Sequence, residues 1–85
     1  MSEDRSEIVG AEAIRLLAAK REALGLSMNA VAAKAGLSHT MISRVERGLR
    51  KPTLDTLLRI ATAMDVELWT FIKKAEAAFG GDRQG

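Results

Sequence analysis

Gly36 sits between two short stretches of helix-forming sequence, with Ala32 four places before it and Ile42 six places after it. That spacing narrows what residues 27–48, SMNAVAAKAGLSHTMISRVERG, can build. Glycine enters the left-handed backbone region without a Cβ penalty, so it can close one helix and turn the chain into another. A residue as small as Ala32 lets two backbones approach closely. Ile42, with Val45 nearly one turn later, then locks the second helix onto the first, and Val31, Ala35 and Leu37 add apolar contact. The run predicts two short helices meeting at a tight corner.

The rest of the chain supplies a frame for that corner. Ile14, Leu17, Arg21 and Leu24 recur at helical spacing, which predicts a first helix over about 6–24, ended by Gly25. Ser27 caps a second helix, Met28 to Ala35, and Ser38 caps a third, His39 to Arg47, which Gly48 closes. After the loop Leu49-Arg50-Lys51-Pro52, Thr53 opens a fourth helix with Leu54, Leu57, Leu58, Ala61 and Met64 on one face. Asp65-Val66 breaks it. A fifth helix follows over about 67–79, carrying Leu68, Phe71, Ile72, Ala75 and Phe79. The expectation is one all-α domain over residues 6–79, a compact five-helix bundle, between disordered termini at 1–5 and 80–85.

Composition removes several classes of function. At 85 residues there is room for one small core. No apolar stretch approaches the roughly 20 residues that span a bilayer, and the acidic start MSEDRSE lacks the basic and apolar layout of a secretory signal. Without cysteine there is neither a disulfide frame nor a thiolate site. A cytoplasmic protein with no membrane contact is expected. The net charge of +2 is small, but its distribution is uneven. Lys34, Arg44, Arg47, Arg50, Lys51 and Arg59 oppose only Glu46 and Asp55 between positions 34 and 59. That basic excess falls on and after the corner, where it suits an anionic partner.

Enzymatic chemistry needs convergent ionisable or nucleophilic groups, and the single histidine, His39, has no partner acid at a suitable spacing. One histidine does not make a metal site. No enzyme activity, metal or cofactor is expected. The third helix reads better as a recognition element. His39, Thr40, Ser43 and Arg44 share one face, while Ile42 and Val45 point the opposite way and Met41 sits at the edge. Arg44 can donate two hydrogen bonds to guanine, Thr40 offers a hydroxyl and a methyl, and Ser43 and His39 can pair with several base edges. The same face would also serve as ordinary solvated surface. Set behind the Ala32-Gly36-Ile42 corner, it has the layout of a helix-turn-helix, whose second helix enters the major groove of double-stranded DNA. The helix N-termini at Ser27 and Ser38 favour phosphate, and Asn29, Arg47, Arg50 and Lys51 stand where they can grip the DNA backbone.

The stretches KREALGLS (20–27), AVAAKAGLSHTMISRVERG (30–48) and KPTLDTLLRIATAMDVEL (51–68) resemble the Cro and phage-repressor, or xenobiotic-response-element, type of helix-turn-helix domain. The match rests on Ala32, Gly36, Ile42, Glu46, Gly48 and Pro52 at these spacings. It implies a lambda-repressor-like bundle, a transcriptional regulator, and an ion pair between Arg21 and Glu46. It places base contacts at His39, Thr40, Ser43 and Arg44, and phosphate contacts at Met28, Asn29, Ser38, Arg47, Arg50 and Lys51. Met28 departs from the pattern, because the family often has glutamine there. A thioether cannot replace that amide, so the clamp falls to Asn29 and backbone amides. Lys20 stands where an aliphatic residue is common, and its stem can still cover apolar surface.

The fifth helix continues past the segment that usually closes such a fold. Trp69, Ile72 and Phe79 either cap the monomer's own core or form a homodimer surface. The dimer is the expectation, with recognition helices about 34 Å apart on a palindromic operator. The competing reading is an antitoxin or other interaction module that uses the same fold to hold a protein partner.

Overall fold

Side-chain oxygens open four of the five helices in the computed structural model, which describes residues 4–80. The helices are α1 (Arg5–Ala23), α2 (Met28–Ala35), α3 (His39–Glu46), α4 (Leu54–Ala63) and α5 (Leu68–Gly80), and no strand occurs among the described residues. Ser27 and Ser38 each accept from the N–H three residues on, at 3.0 Å, as the sequence predicts. Thr53 does the same for α4 and also donates its hydroxyl to Thr56 Oγ1. That second bond explains how Thr56 is buried without an orphaned oxygen.

Asp4 corrects the expected disordered start at 1–5. Its carboxylate accepts from the Ser6 N–H and hydroxyl and caps α1, whose first residue is Arg5. Helix α5 likewise runs one residue further than expected, into Gly80. Residues 1–3 and 81–85, the remainder of the expected disordered termini, lie outside the described residues.

The C-terminal ends of α1 to α4 share one device. A left-handed residue stands at the cap of α2 (Gly36) and just after the caps of α1, α3 and α4 (Gly25, Gly48 and Asp65), and the next N–H reaches back five residues to a helix carbonyl. At the corner, Gly36 takes φ +72° and the Leu37 N–H bonds the Ala32 carbonyl at 2.9 Å. A side chain at Gly36 would be strained in that conformation and would meet the Arg59 guanidinium at 3.3 Å.

Two apolar clusters hold the helices. The main one joins Leu17, Val31, Ala32, Ala35, Ile42, Ile60, Ala61, Ala63, Met64, Leu68 and Phe71. The second packs Val9 and Ala13 of α1 against Ala75 of α5, with Ile72 and Phe79 beside them. Arg5 reinforces it, pairing with Glu76 at 3.5 Å and lying 5.4 Å from the Phe79 ring centre. The start of α1 is therefore fastened to the end of α5.

Four side chains are placed differently from the sequence reading. Helix α1 buries Val9, Ala13, Leu17 and Arg21, whereas Leu24 falls beyond the last helical turn and is exposed. Helix α4 buries Thr56, Ile60, Ala61 and Ala63 and leaves Leu54 and Leu58 at the surface. Val45 does not simply pin α3 to α2. It lines a void of about 10 Å³ with Ile14, Leu17 and Ala18 of α1 and Leu57 and Ile60 of α4. No described helix is long and apolar enough to cross a membrane.

Candidate nucleic-acid interface

Helix α3 is held from behind by its two buried apolar residues. Ile42 and Val45 are 1% and 2% exposed, so the helix cannot rotate without opening the core. Its other face is then fixed outward. His39, Thr40 and Arg44 are exposed and Ser43 is half-buried, so the four expected base-contacting residues lie together on one accessible strip. The α2–α3 corner delivers this strip, because Ala32 is 4% exposed and leaves no room for a larger side chain.

Arg21 and Glu46 brace the far end of the strip. Arg21 Nε donates to Glu46 Oε2 at 2.7 Å and Nη2 donates to Oε1 at 2.9 Å, a two-bond pairing of planar groups. The remaining nitrogen, Nη1, donates to the Leu26 carbonyl at 2.8 Å. One guanidinium thus ties the end of α1, the α1–α2 loop and the last residue of α3. The Glu46 carboxylate raises the Arg21 pKa above its ordinary value, against the opposing effect of burial.

The pairing also clears the local electrostatics. Both acids of the 34–59 segment are engaged, Glu46 by Arg21 and Asp55 by Arg59 at 2.9 Å. Arg44, Arg47 and Arg50 are exposed and form no ion pair among the described residues. The surface around α3 therefore offers positive charge with nearby carboxylates occupied.

The expected phosphate-contacting residues divide into groups. Asn29, Arg47 and Arg50 are exposed beside the helix ends. Ser38 spends its oxygen on the Met41 N–H but keeps a hydroxyl proton to donate. Met28 is half-buried and packed against the main core, so its side chain leaves the phosphate-facing set and only its backbone N–H remains. Lys51 is already engaged, its Nζ 2.9 Å from Glu7 Oε2, and that carboxylate raises its pKa. Of the expected dimer residues, Trp69 is 60% exposed, whereas Ile72 and Phe79 pack against the α1–α5 cluster.

Two contacts at this surface escaped the sequence reading. Arg59 Nη1 donates to the Ala35 carbonyl at 3.3 Å, neutralising the C-terminal end of α2 beside the corner. The Asp55–Arg59 spacing of four predicts their pairing on a helix, but not the reach to α2. The Glu7–Lys51 contact spans 44 residues and leaves no local signal. No group of three or more His, Cys, Asp and Glu that could hold a metal occurs among the described residues.

Comparison with known proteins agrees with the helix-turn-helix fold. Residues 17–68, more than half of the chain, match the helix-turn-helix family model. A helix-turn-helix-type transcriptional regulator of Mycobacterium tuberculosis is 47% identical over 47 residues, covering 55% of this chain and 34% of that protein. Another, from Sinorhizobium fredii, is 38% identical over 63 residues, covering 74% of this chain and 77% of that protein. The chain thus spans about a third of the length of the mycobacterial relative but most of the rhizobial one. Among solved structures, the restriction-modification controller protein C.AhdI from Aeromonas hydrophila superposes with a TM-score of 0.66 at 35% identity. That match covers 74% of this chain and 94% of the controller protein.

Proposed function

The chain belongs to the helix-turn-helix family, in its Cro and phage-repressor type, and from that premise we propose that it is a sequence-specific DNA-binding transcriptional regulator. One observation carries the reading. Helix α3 turns His39, Thr40, Ser43 and Arg44 outward on a helix that Ile42 and Val45 lock from behind. In the major groove, Arg44 pairs with guanine O6 and N7, and Thr40, Ser43 and His39 read neighbouring base edges. Asn29, Ser38, Arg47, Arg50 and Lys51 and the free amides of α2 and α3 hold phosphates and set the register.

One module covers little DNA, and a second copy related by two-fold symmetry doubles the contact on a palindromic operator. Exposed Trp69 on α5 supports a contact between copies there, with recognition helices about 34 Å apart. Sedimentation at micromolar concentration tests it. A monomer both free and on DNA refutes the dimer.

Selection of binding sites from a random DNA pool tests the main reading, since it returns base preference and half-site spacing together. Affinity for the selected site should fall steeply between low and moderate salt, and a flat salt response refutes DNA binding. Arg44→Ala should cost about 1–3 kcal/mol and relax preference at one base pair.

A further inference from the structure

Resting on the DNA-binding reading above, we propose that Glu7 is an internal competitor of DNA phosphate: in the free protein its carboxylate occupies Lys51 and lowers affinity for DNA of any sequence. The contact is a direct hydrogen bond of 2.9 Å between residues far apart in the chain. It joins the first turn of α1 to the loop between α3 and α4, beside Arg47 and Arg50.

The fold holds Glu7 there. Residues 5–16 of α1 precede the segment that matches the family model. That part of the helix is fastened by its own cluster, Val9 and Ala13 against Ala75, and by the Arg5–Glu76 pair. Asp4, the cap of the same helix, adds a second negative charge near Lys51. Both carboxylates face a loop whose other charged members, Arg47 and Arg50, are cationic.

A carboxylate and a phosphate present the same chemistry to an ammonium group, anionic oxygens that accept charge-assisted hydrogen bonds. A DNA phosphate reaching Lys51 must displace Glu7 or share the ammonium with it. Both groups are well exposed, 83% and 59%, so the competition is worth a small factor, about two- to fivefold in affinity. Because phosphates carry no sequence information, that factor applies equally to all DNA and leaves base preference unchanged.

The test is a double-mutant cycle on the full chain, read by fluorescence anisotropy of a short mixed-sequence duplex at low ionic strength. Wild type, Glu7→Gln, Lys51→Gln and the double variant are compared. Glu7→Gln should bind about two- to fivefold tighter than wild type, and the gain should shrink as salt screens the exposed pair. In the Lys51→Gln background the same substitution should change nothing. Equal affinity of Glu7→Gln and wild type overturns the proposal. So does a gain that persists without Lys51, because it reports general repulsion and no competition. If wild type binds no duplex at any salt concentration, the DNA-binding reading itself fails, a result distinct from the other two.

Discussion

Replacing Arg21 with methionine removes the one side chain that joins three segments behind the recognition helix. Methionine keeps most of the apolar stem but deletes the guanidinium. The Glu46 carboxylate, with a side chain only 15% exposed, then loses both donors, and the Leu26 carbonyl loses a third. Breaking a fully buried ion pair by deleting one partner costs about 3–5 kcal/mol. Here water retains some access to both groups, so the expected loss for Arg21→Met is about 2–4 kcal/mol. In a domain of this size each kcal/mol moves Tm by about 4–8 °C, so Tm should fall by about 8–32 °C. Thermal and urea unfolding followed by far-UV circular dichroism measures the change. The partner variant Glu46→Gln completes a cycle. If the groups act as a pair, the double variant is less destabilised than the two single losses summed, by about 1–3 kcal/mol. A loss under about 1 kcal/mol for Arg21→Met, or strict additivity, refutes the brace and makes the pair an ordinary surface contact.

Gly36→Ala should destabilise by about 1–2 kcal/mol through left-handed strain, and Gly36→Asn should recover part of that. Equal stability of the alanine variant in urea unfolding refutes the strained corner. Ile42→Ala should cost about 2–5 kcal/mol by the same measurement, because the side chain is 1% exposed within the main cluster. Acid should fray the first turn of α1. Hydrogen bonds from Ser6 hold the Asp4 pKa below its ordinary value, so its stabilisation is present above the unfolded pKa and is lost as pH falls through the folded one. Amide exchange at Ser6 and Glu7 should quicken across that window in wild type and not in Asp4→Ala. Equal responses would assign the fraying to another group.

The corner was legible because its signals are local. A hydroxyl three residues before an N–H, a left-handed glycine and the 32–36–42 spacing each act within about two turns. The caps at Ser27, Ser38 and Thr53 therefore stand where sequence predicts them. The buried faces were less legible. Leu54 and Leu58 satisfy a helical stripe as well as Ile60 and Ala63 do, and periodicity alone does not say which apolar stripe meets a neighbour. Leu24 failed for another reason, since the helix ends before it and its side chain leaves the stripe. Met28 was visible as a departure from the family pattern, and its packing on the core gives that departure a structural consequence.

The chain alone determines five helices, the caps at Ser27, Ser38 and Thr53 and the outward strip His39, Thr40, Ser43 and Arg44, because propensity, capping and periodicity are properties of neighbouring residues. Tertiary structure decides what distant residues do to that strip. It brings Arg21 to Glu46 and Leu26, Arg59 to the Ala35 carbonyl, and Glu7 to Lys51. Each is a charged group whose role depends on which partner the fold sets within hydrogen-bond reach. Charge acts through distance in space, and only packing fixes that distance.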